Sequence, residues 1–161
     1  MGPLDPDDAR AAIRLPAAEQ GVELTDGALD AIAELARGYP YFLQEWGYHV
    51  WNAAGRSPID QDLVERLIPA VTRHLDANFF RVRFDRLTPA ERRYLRAMAA
   101  LGPGPHRSGS VARQLGVKVE TVAPRRAELI AKGMLYSPAH GDTAFTVPLF
   151  DEFLLREIPD A

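Results

Sequence analysis

The stretch that decides the fold runs from residue 110 to residue 147 and reads SVARQLGVKVETVAPRRAELIAKGMLYSPAHGDTAFTV. Ser110 is placed to cap a short helix, and Gly116 supplies the left-handed residue that commonly ends one. A second helix then ends in a basic last turn at Lys132, with Gly133 as its stop. The pattern predicts two consecutive helices joined by a tight turn.

Two strand-like runs follow these helices. Residues 134–137 and 144–147 are apolar or β-favouring, and His140-Gly141-Asp142 between them is typical of a tight turn. Helix, turn, helix and β-hairpin is the order of a winged helix, in which the hairpin is the wing. The sequence therefore predicts a winged helix-turn-helix domain with a small β-hairpin wing, completed by a final helix over 149–156.

The residues before this stretch predict a bundle of helices, so the fold class is mainly α. Four positions have the sequence pattern of a helix start, in which the first residue is followed by proline, by acidic residues or by apolar residues at helical spacing. These positions are Asp5, Thr25, Tyr39 and Asp60. Pro69 interrupts the last of these runs and predicts a kink or a restart of the helix. Thr88-Pro89-Ala90-Glu91 is a capping box with proline at the first helical position. We therefore predict a domain boundary at about residue 86.

Composition excludes several classes of protein. Hydrophobic residues make up 47% of the 161 residues and charged residues 25%, as in globular domains, and no run of eighteen apolar residues predicts a membrane span. Cysteine is absent, which excludes disulfides and thiolate metal sites. We expect a cytoplasmic protein that does not contact a membrane.

Charge is distributed unevenly along the chain. Residues 1–87 hold 9 basic and 14 acidic side chains, residues 88–136 hold 9 basic and 3 acidic ones, and residues 137–161 hold 1 basic and 5 acidic ones. The basic block coincides with the predicted helix-turn-helix. It favours a polyanionic partner such as DNA, while a solvated arginine-rich surface is the alternative.

Motifs for covalent chemistry are missing from the sequence. The four histidines, His49, His74, His106 and His140, are far apart and lack metal-ligand spacing. There is no G-x-S-x-G nucleophile elbow, and the glycine-proline loop at 102–105 lacks the lysine and hydroxyl residue of a P-loop. We expect no catalytic residues, no metal site and no enzymatic activity in this chain.

The whole chain resembles the C-terminal part of a bacterial AAA+/STAND-type ATPase, in which a helical lid precedes a winged helix. The residues that carry the resemblance are the helical stretch 5–84, the Gly-x-Pro element at 38–40 and the run 125–156. The resemblance divides the chain into a lid-like domain over 1–86, ending in a long linker helix, and a winged-helix domain over 87–161.

The resemblance also implies a nucleotide-facing element in the lid, made of Gly38, Tyr39, Pro40 and Tyr41. Six of the 14 aromatic residues lie between Tyr39 and Trp51, and a packed core face is the alternative explanation for them. The P-loop and the magnesium-binding strand of the family are absent here. We therefore expect no cofactor in this chain, ATP with magnesium only in a missing N-terminal ATPase domain, and that domain as a partner. Arg37 is the nearest candidate for the sensor arginine of other lids.

A winged helix that reads DNA places the first turns of its second helix in the major groove. Here this surface would offer Lys118, Thr121, Arg125 and Arg126 as the nucleic-acid-binding residues, because arginine bonds guanine or phosphate in bidentate fashion. Pro124 and Glu120 lie on the same surface and oppose this role, since one limits the helix geometry and the other repels phosphate.

Three functions remain open at this point. The first is the lid and winged helix of a larger signalling ATPase, which contacts DNA or a protein partner. The second is a free-standing winged-helix transcriptional regulator, and the third is a protein-docking module. The Gly-x-Pro helix favours the first function, while a sustained apolar heptad would favour the second and is broken at Pro69.

Overall fold

The structure is a computed structural model that describes residues 2–159. It is mainly helical, as the sequence predicts, with a small three-stranded antiparallel sheet. The chain divides into two compact units, Met1–Leu75 and Asp76–Ala161. Within the described residues, no helix combines the length and the apolar character needed to cross a membrane.

The first unit is a bundle of helices. The described part of this unit contains α1 (Pro6–Glu19), α2 (Asp26–Leu35), α3 (Pro40–Ala53) and α4 (Gln61–Leu75). Its core is formed by fully buried apolar side chains from all of the last three helices, among them Ile32, Phe42, Leu43, Trp46, Val64 and Val71.

The predicted helix starts in this unit are confirmed by their capping bonds. The side chains of Asp5, Thr25 and Asp60 accept hydrogen bonds from backbone N–H groups three residues later, over 2.8, 3.1 and 3.0 Å. Each bond satisfies an N–H group that has no partner inside the helix. Pro69 lies inside α4, which continues to Leu75, so the helix does not restart there, and the alternative of a kink stays a prediction.

The second unit combines short helices with the sheet. Its described elements are a π-helical turn (Asp76–Phe80), α5 (Arg81–Phe84), α6 (Pro89–Ala100), β1 (His106–Arg107), α7 (Ser108–Leu115), α8 (Val119–Ala131), β2 (Leu135–Tyr136), β3 (Asp142–Phe145) and α9 (Phe150–Glu157). The capping box at the start of α6 is confirmed, because Thr88 Oγ1 accepts from the Glu91 N–H and the Glu91 carboxylate accepts from the Thr88 N–H.

The sheet has the strand order β1-β3-β2, with both pairs antiparallel. In the hairpin, Leu135 pairs with Phe145 and Tyr136 with Ala144. The strand β1 on the other side of β3 was not predicted, since it contains only His106 and Arg107. The predicted hairpin is therefore present and is widened by a third, two-residue strand.

The division between the units lies at Leu75 and Asp76, whereas the sequence predicted it at about residue 86. Aromatic packing explains the difference. Phe80 stacks on Phe153 of α9 with ring centroids 5.4 Å apart, and Phe84 meets the same ring edge-on at 5.6 Å. Residues 76–86 therefore belong to the core of the second unit and not to a linker helix of the first.

One smaller prediction in the second unit is also corrected. Helix α7 begins at Ser108, so Ser110 lies in its first turn and is not its cap. Helix α8 runs from Val119 to Ala131 and contains Pro124. Because Pro124 has no N–H, the helix loses one internal hydrogen bond there. Gly116 has φ 71°, which confirms the predicted left-handed turn between the two helices.

Candidate functional site

The Gly-x-Pro element links the end of α2 to the start of α3. Gly38 has φ 67°, a left-handed backbone conformation that residues other than glycine rarely adopt. Its carbonyl accepts a hydrogen bond from the Leu4 N–H over 2.8 Å, and a Cβ on Gly38 would lie 2.5 Å from the Leu4 carbonyl oxygen. Gly38 is thus buried beneath the backbone of Leu4, and the position is open only to glycine.

The three residues after Gly38 occupy different environments. Pro40 is the first residue of α3, where its missing N–H is harmless. Tyr39 is half-buried against Phe42, with ring centroids 5.2 Å apart, and the side chain of Tyr41 is 39% exposed. Of the two tyrosines predicted to face a nucleotide, Tyr41 is therefore more accessible than Tyr39. Gly38 is covered by the backbone of Leu4.

A mainly apolar cavity of about 570 Å³ lies between α1 and α3 in the first unit. Its lining includes Ile13, Pro40, Leu43, Gly47, Trp51 and Ile59. This volume falls within the range of small-molecule sites. Pro40 lines the cavity, whereas Gly38, Tyr39 and Tyr41 lie outside its lining, so only one of the four predicted residues contributes to this cavity.

The predicted nucleic-acid surface lies on α8 and the residue before it. Lys118 precedes the helix and is exposed, as is Thr121 in the first turn. The Arg125 guanidinium pairs with the Glu128 carboxylate at 2.8 Å. Arg126 extends toward the sheet instead, where its Nε donates to Thr143 Oγ1 over 2.7 Å and its Nη2 to the Asp142 carbonyl over 3.4 Å.

The contacts of Arg126 give it a structural position. Thr143 is 1% exposed, so the hydrogen bond from Arg126 satisfies a buried hydroxyl group and joins α8 to β3. Among the four residues predicted to bind nucleic acid, Arg126 is therefore the one that holds the sheet. The other three, Lys118, Thr121 and Arg125, do not take part in this contact. The sequence did not distinguish the two adjacent arginines, because the difference depends on where β3 lies.

The outer face of α8 is formed by small, apolar or acidic side chains. Its exposed positions after the first turn are Ala123, Pro124, Ala127, Glu128 and Ala131, and Glu120 is exposed one turn earlier. Exposed basic side chains lie at the ends of α8, as Lys118 does, or elsewhere in this unit, for example Arg107 on β1, whose side chain is 76% exposed. The solvent-facing surface of α8 therefore has little of the positive charge that phosphates attract.

The prediction that the histidines are isolated from one another is wrong. His49 on α3 and His74 on α4 have ring centroids 4.8 Å apart, and Glu45 lies beside both. The sequence did not reveal this group because its members come from two helices. The other two histidines fit the prediction: His106 bonds the Gly102 carbonyl over 2.7 Å, and His140 is exposed in the hairpin turn.

Comparison with known proteins gives a family match over the second unit. Residues 77–154 match a family model described as a domain of unknown function, DUF8462. No match was found among curated proteins. The family description assigns no activity to the matched residues.

Solved structures of one protein are similar to the whole chain. The RuvB Holliday junction branch migration motor of Thermotoga maritima matches at 18% identity and a TM-score of 0.43, over 100% of this chain and 51% of RuvB. A mutant of the same protein matches at 19% identity and a TM-score of 0.44, over 100% and 50%. The chain spans about half the length of these structures.

Proposed function

We propose that this chain is the non-catalytic C-terminal segment of an AAA+/STAND-type ATP-binding protein. In this proposal the first unit is a lid that senses the nucleotide, and the second unit is a winged helix that contacts DNA or a protein partner. The phosphate cradle, the magnesium ion and the group that activates water belong to an N-terminal ATPase domain, which is the first partner of this chain.

The observation that carries the proposal is the Gly-x-Pro element at the start of α3. Gly38 holds a left-handed turn against the backbone of Leu4, and this fixes the direction in which Pro40 and Tyr41 begin the helix. A preorganised helix start with an exposed aromatic ring is suited to packing against a nucleotide base. Leu4, Pro40 and Trp51 also line the neighbouring apolar cavity, which offers a surface for the ATPase domain.

The order of elements in the second unit supports a winged helix. Helices α6, α7 and α8 precede a β-hairpin, and β1 pairs with the outer side of β3. Arg126 and Thr143 tie α8 to this sheet. A helix fixed against a hairpin in this way forms a rigid surface, which is what recognition of either DNA or a protein requires.

The proposal is tested first with the isolated chain. Calorimetric titration with ATP and magnesium should give no binding at micromolar affinity, and the chain should show no turnover, because a lid supplies only one wall of a nucleotide site. Binding or turnover by this chain alone would contradict the proposal.

The second test uses the longer protein that the proposal requires. The gene should encode a P-loop and an acidic strand upstream of this segment, and an open reading frame without them would rule the proposal out. In that longer protein, Tyr41→Ala should weaken ATP binding. Tyr136→Ala is the matched control, because Tyr136 is similarly exposed but lies on β2 of the second unit.

Protein docking is the second candidate for the role of the winged helix. The outer face of α8 favours it, because Ala123, Pro124, Ala127 and Ala131 offer no donors to phosphate or base edges and Glu120 repels phosphate. DNA contact is favoured instead by the basic balance of residues 88–136. A DNA titration at several salt concentrations distinguishes the two.

A further inference from the structure

Three potential metal ligands converge on one side of the first unit. Glu45 and His49 are one turn apart on α3, so they share a face, and His74 approaches them from the last turn of α4. Glu45 Oε2 lies 3.2 Å from His74 Nε2 and 3.9 Å from His49 Nε2. One ligand atom from each residue lies within 4.8 Å of the other two.

The burial of this group indicates that it is not an ordinary surface cluster. The side chains of Glu45 and His49 are 23% and 21% exposed, and that of His74 is 41% exposed. His49 Nε2 has no contact with solvent and no hydrogen-bond partner among residues 2–159. A buried polar nitrogen without a hydrogen-bond partner requires an explanation, and one explanation is that the nitrogen binds an ion.

We propose that Glu45, His49 and His74 bind a single divalent transition-metal ion of the zinc class. Imidazole nitrogen and carboxylate oxygen are ligands that Zn²⁺ accepts, whereas Mg²⁺ and Ca²⁺ prefer oxygen alone. Three protein ligands leave the fourth tetrahedral position for water. The ion would accept the unused lone pair of His49 Nε2 and would join α3 to α4.

The spacing of the ligand atoms fits such an ion. Metal–ligand distances of about 2.0–2.1 Å in a tetrahedral site place ligand atoms roughly 3.4 Å apart. The distances from Glu45 Oε2 to the Nε2 atoms of His74 and His49, 3.2 and 3.9 Å, lie on either side of that value. The widest separation between ligand atoms in the group is no more than 4.8 Å, so a small inward movement of the side chains is enough to bring all three atoms to one ion.

The site is separate from the cavity of the proposed function. The cavity is lined by Pro40, Leu43, Gly47 and Trp51, while Glu45 and His49 lie on another face of α3. The metal site therefore acts on the packing of α3 against α4. Failure of the metal proposal and failure of the proposed nucleotide sensing are distinguishable, because zinc binding is measured on this chain without ATP.

The test uses this chain purified without a histidine tag and stripped of metal. Calorimetric titration with ZnCl₂ should give one site per chain, and titration with CoCl₂ should give the intense visible bands of a tetrahedral cobalt site. Zinc should also raise the melting temperature, because an ion that binds only the folded state stabilises it. MgCl₂ at the same concentration should leave the melting temperature unchanged.

Four variants decide whether these residues are the ligands. His49→Gln, His74→Gln and Glu45→Gln should each weaken zinc binding by more than about tenfold, because removal of even an outer-shell partner typically costs 10–100-fold. His140→Gln is the matched control, since it removes an exposed histidine of the other unit and should bind zinc like the parent. Circular dichroism checks that each variant is folded, and His74→Gln, at the most exposed position, is the variant least able to disturb the core.

Absence of saturable zinc binding to the parent chain would overturn the proposal. So would a folded His74→Gln variant that binds zinc as tightly as the parent. If His140→Gln lost binding to the same extent as the other histidine variants, the zinc would be attached to histidines in general, and the proposal would be wrong.

Discussion

Lys132 Nζ donates a hydrogen bond to Glu91 Oε2 over 2.8 Å, and this contact joins the end of α8 to the first turn of α6. The same ammonium donates to the Arg86 carbonyl over 3.2 Å. Glu91 is 2% exposed and also accepts from the Thr88 N–H over 2.9 Å. One buried carboxylate therefore closes the capping box of α6 and fixes α8 to it.

Removal of the cation should destabilise the second unit. In Lys132→Met the methylene stem is kept, but the Glu91 carboxylate remains buried and, among residues 2–159, retains the Thr88 N–H as its donor. Loss of one partner from a buried group costs about 1–3 kcal/mol. Urea unfolding followed by circular dichroism should show this loss. Lys118→Met, at an exposed position before α8, is the control and should unfold like the parent.

The contribution of Glu91 to stability should depend on pH. Burial is the largest single influence on its pKa and would raise it. The hydrogen bonds from Lys132 and the Thr88 N–H, together with the positive charges of Lys132 and Arg125, outweigh burial and hold the pKa below its usual 4.5. A carboxyl group with a lower pKa in the folded state stabilises above its unfolded pKa, and this stabilisation is lost as the pH falls through the folded pKa.

Glu91→Gln tests this dependence. At neutral pH the variant should have a lower free energy of unfolding than the parent, and the difference should shrink as the pH is lowered toward about 3. Urea unfolding of both proteins at a series of pH values measures it. A difference that stays constant across this range would mean that the charge of Glu91 contributes nothing.

Gly38→Ala should be more destabilising than an equivalent substitution at Gly21. Both glycines have positive φ, 67° and 73°. A Cβ at Gly38 meets the Leu4 carbonyl oxygen at 2.5 Å, whereas none of the described residues lies within 4 Å of a Cβ at Gly21. Gly21→Ala should therefore cost only the conformational strain, about 1–2 kcal/mol. Gly38→Ala should cost about 1–3 kcal/mol more because of the overlap.

Tryptophan fluorescence is a suitable measurement for this pair of variants. The two tryptophans, Trp46 and Trp51, both lie in the first unit with Gly21 and Gly38, so the signal follows that unit alone. Equal unfolding midpoints for the two variants would show that the chain from Leu4 moves away from Gly38 without cost.

The elements that could be predicted from sequence are those fixed by local chemistry. Thr88 and Glu91 are three residues apart, and each bonds the other's backbone, so the sequence contains the whole of that helix start. The domain division could not be predicted in this way. Phe80 and Phe84 resemble the apolar face of a continuing helix, and only their contact with Phe153 assigns them to the second unit.

The candidate sites show the same limit. Spacing within one helix places Glu45 beside His49, but His74 is added by the packing of α4 on α3, which no local pattern encodes. For Arg125 and Arg126 the sequence predicts only that they point in different directions, since successive helical positions differ by about 100°. Which of them turns toward the sheet depends on the position of Thr143.

The last prediction concerns DNA binding by the second unit, measured by fluorescence anisotropy with duplex DNA at several salt concentrations. If this unit binds DNA, Arg125→Ala should weaken binding about equally for all sequences and lower the salt dependence by about one phosphate contact, because the salt bridge of Arg125 is to an exposed glutamate, Glu128. Arg126→Ala should instead lower the melting temperature, since it leaves the Thr143 hydroxyl group buried without its donor. Arg14→Ala, on an exposed position of the first unit, is the charge-matched control and should bind like the parent. Absence of binding by the parent at about 50 mM salt, where phosphate contacts are strong, would contradict the DNA role and would favour a protein partner for the small and acidic face of α8.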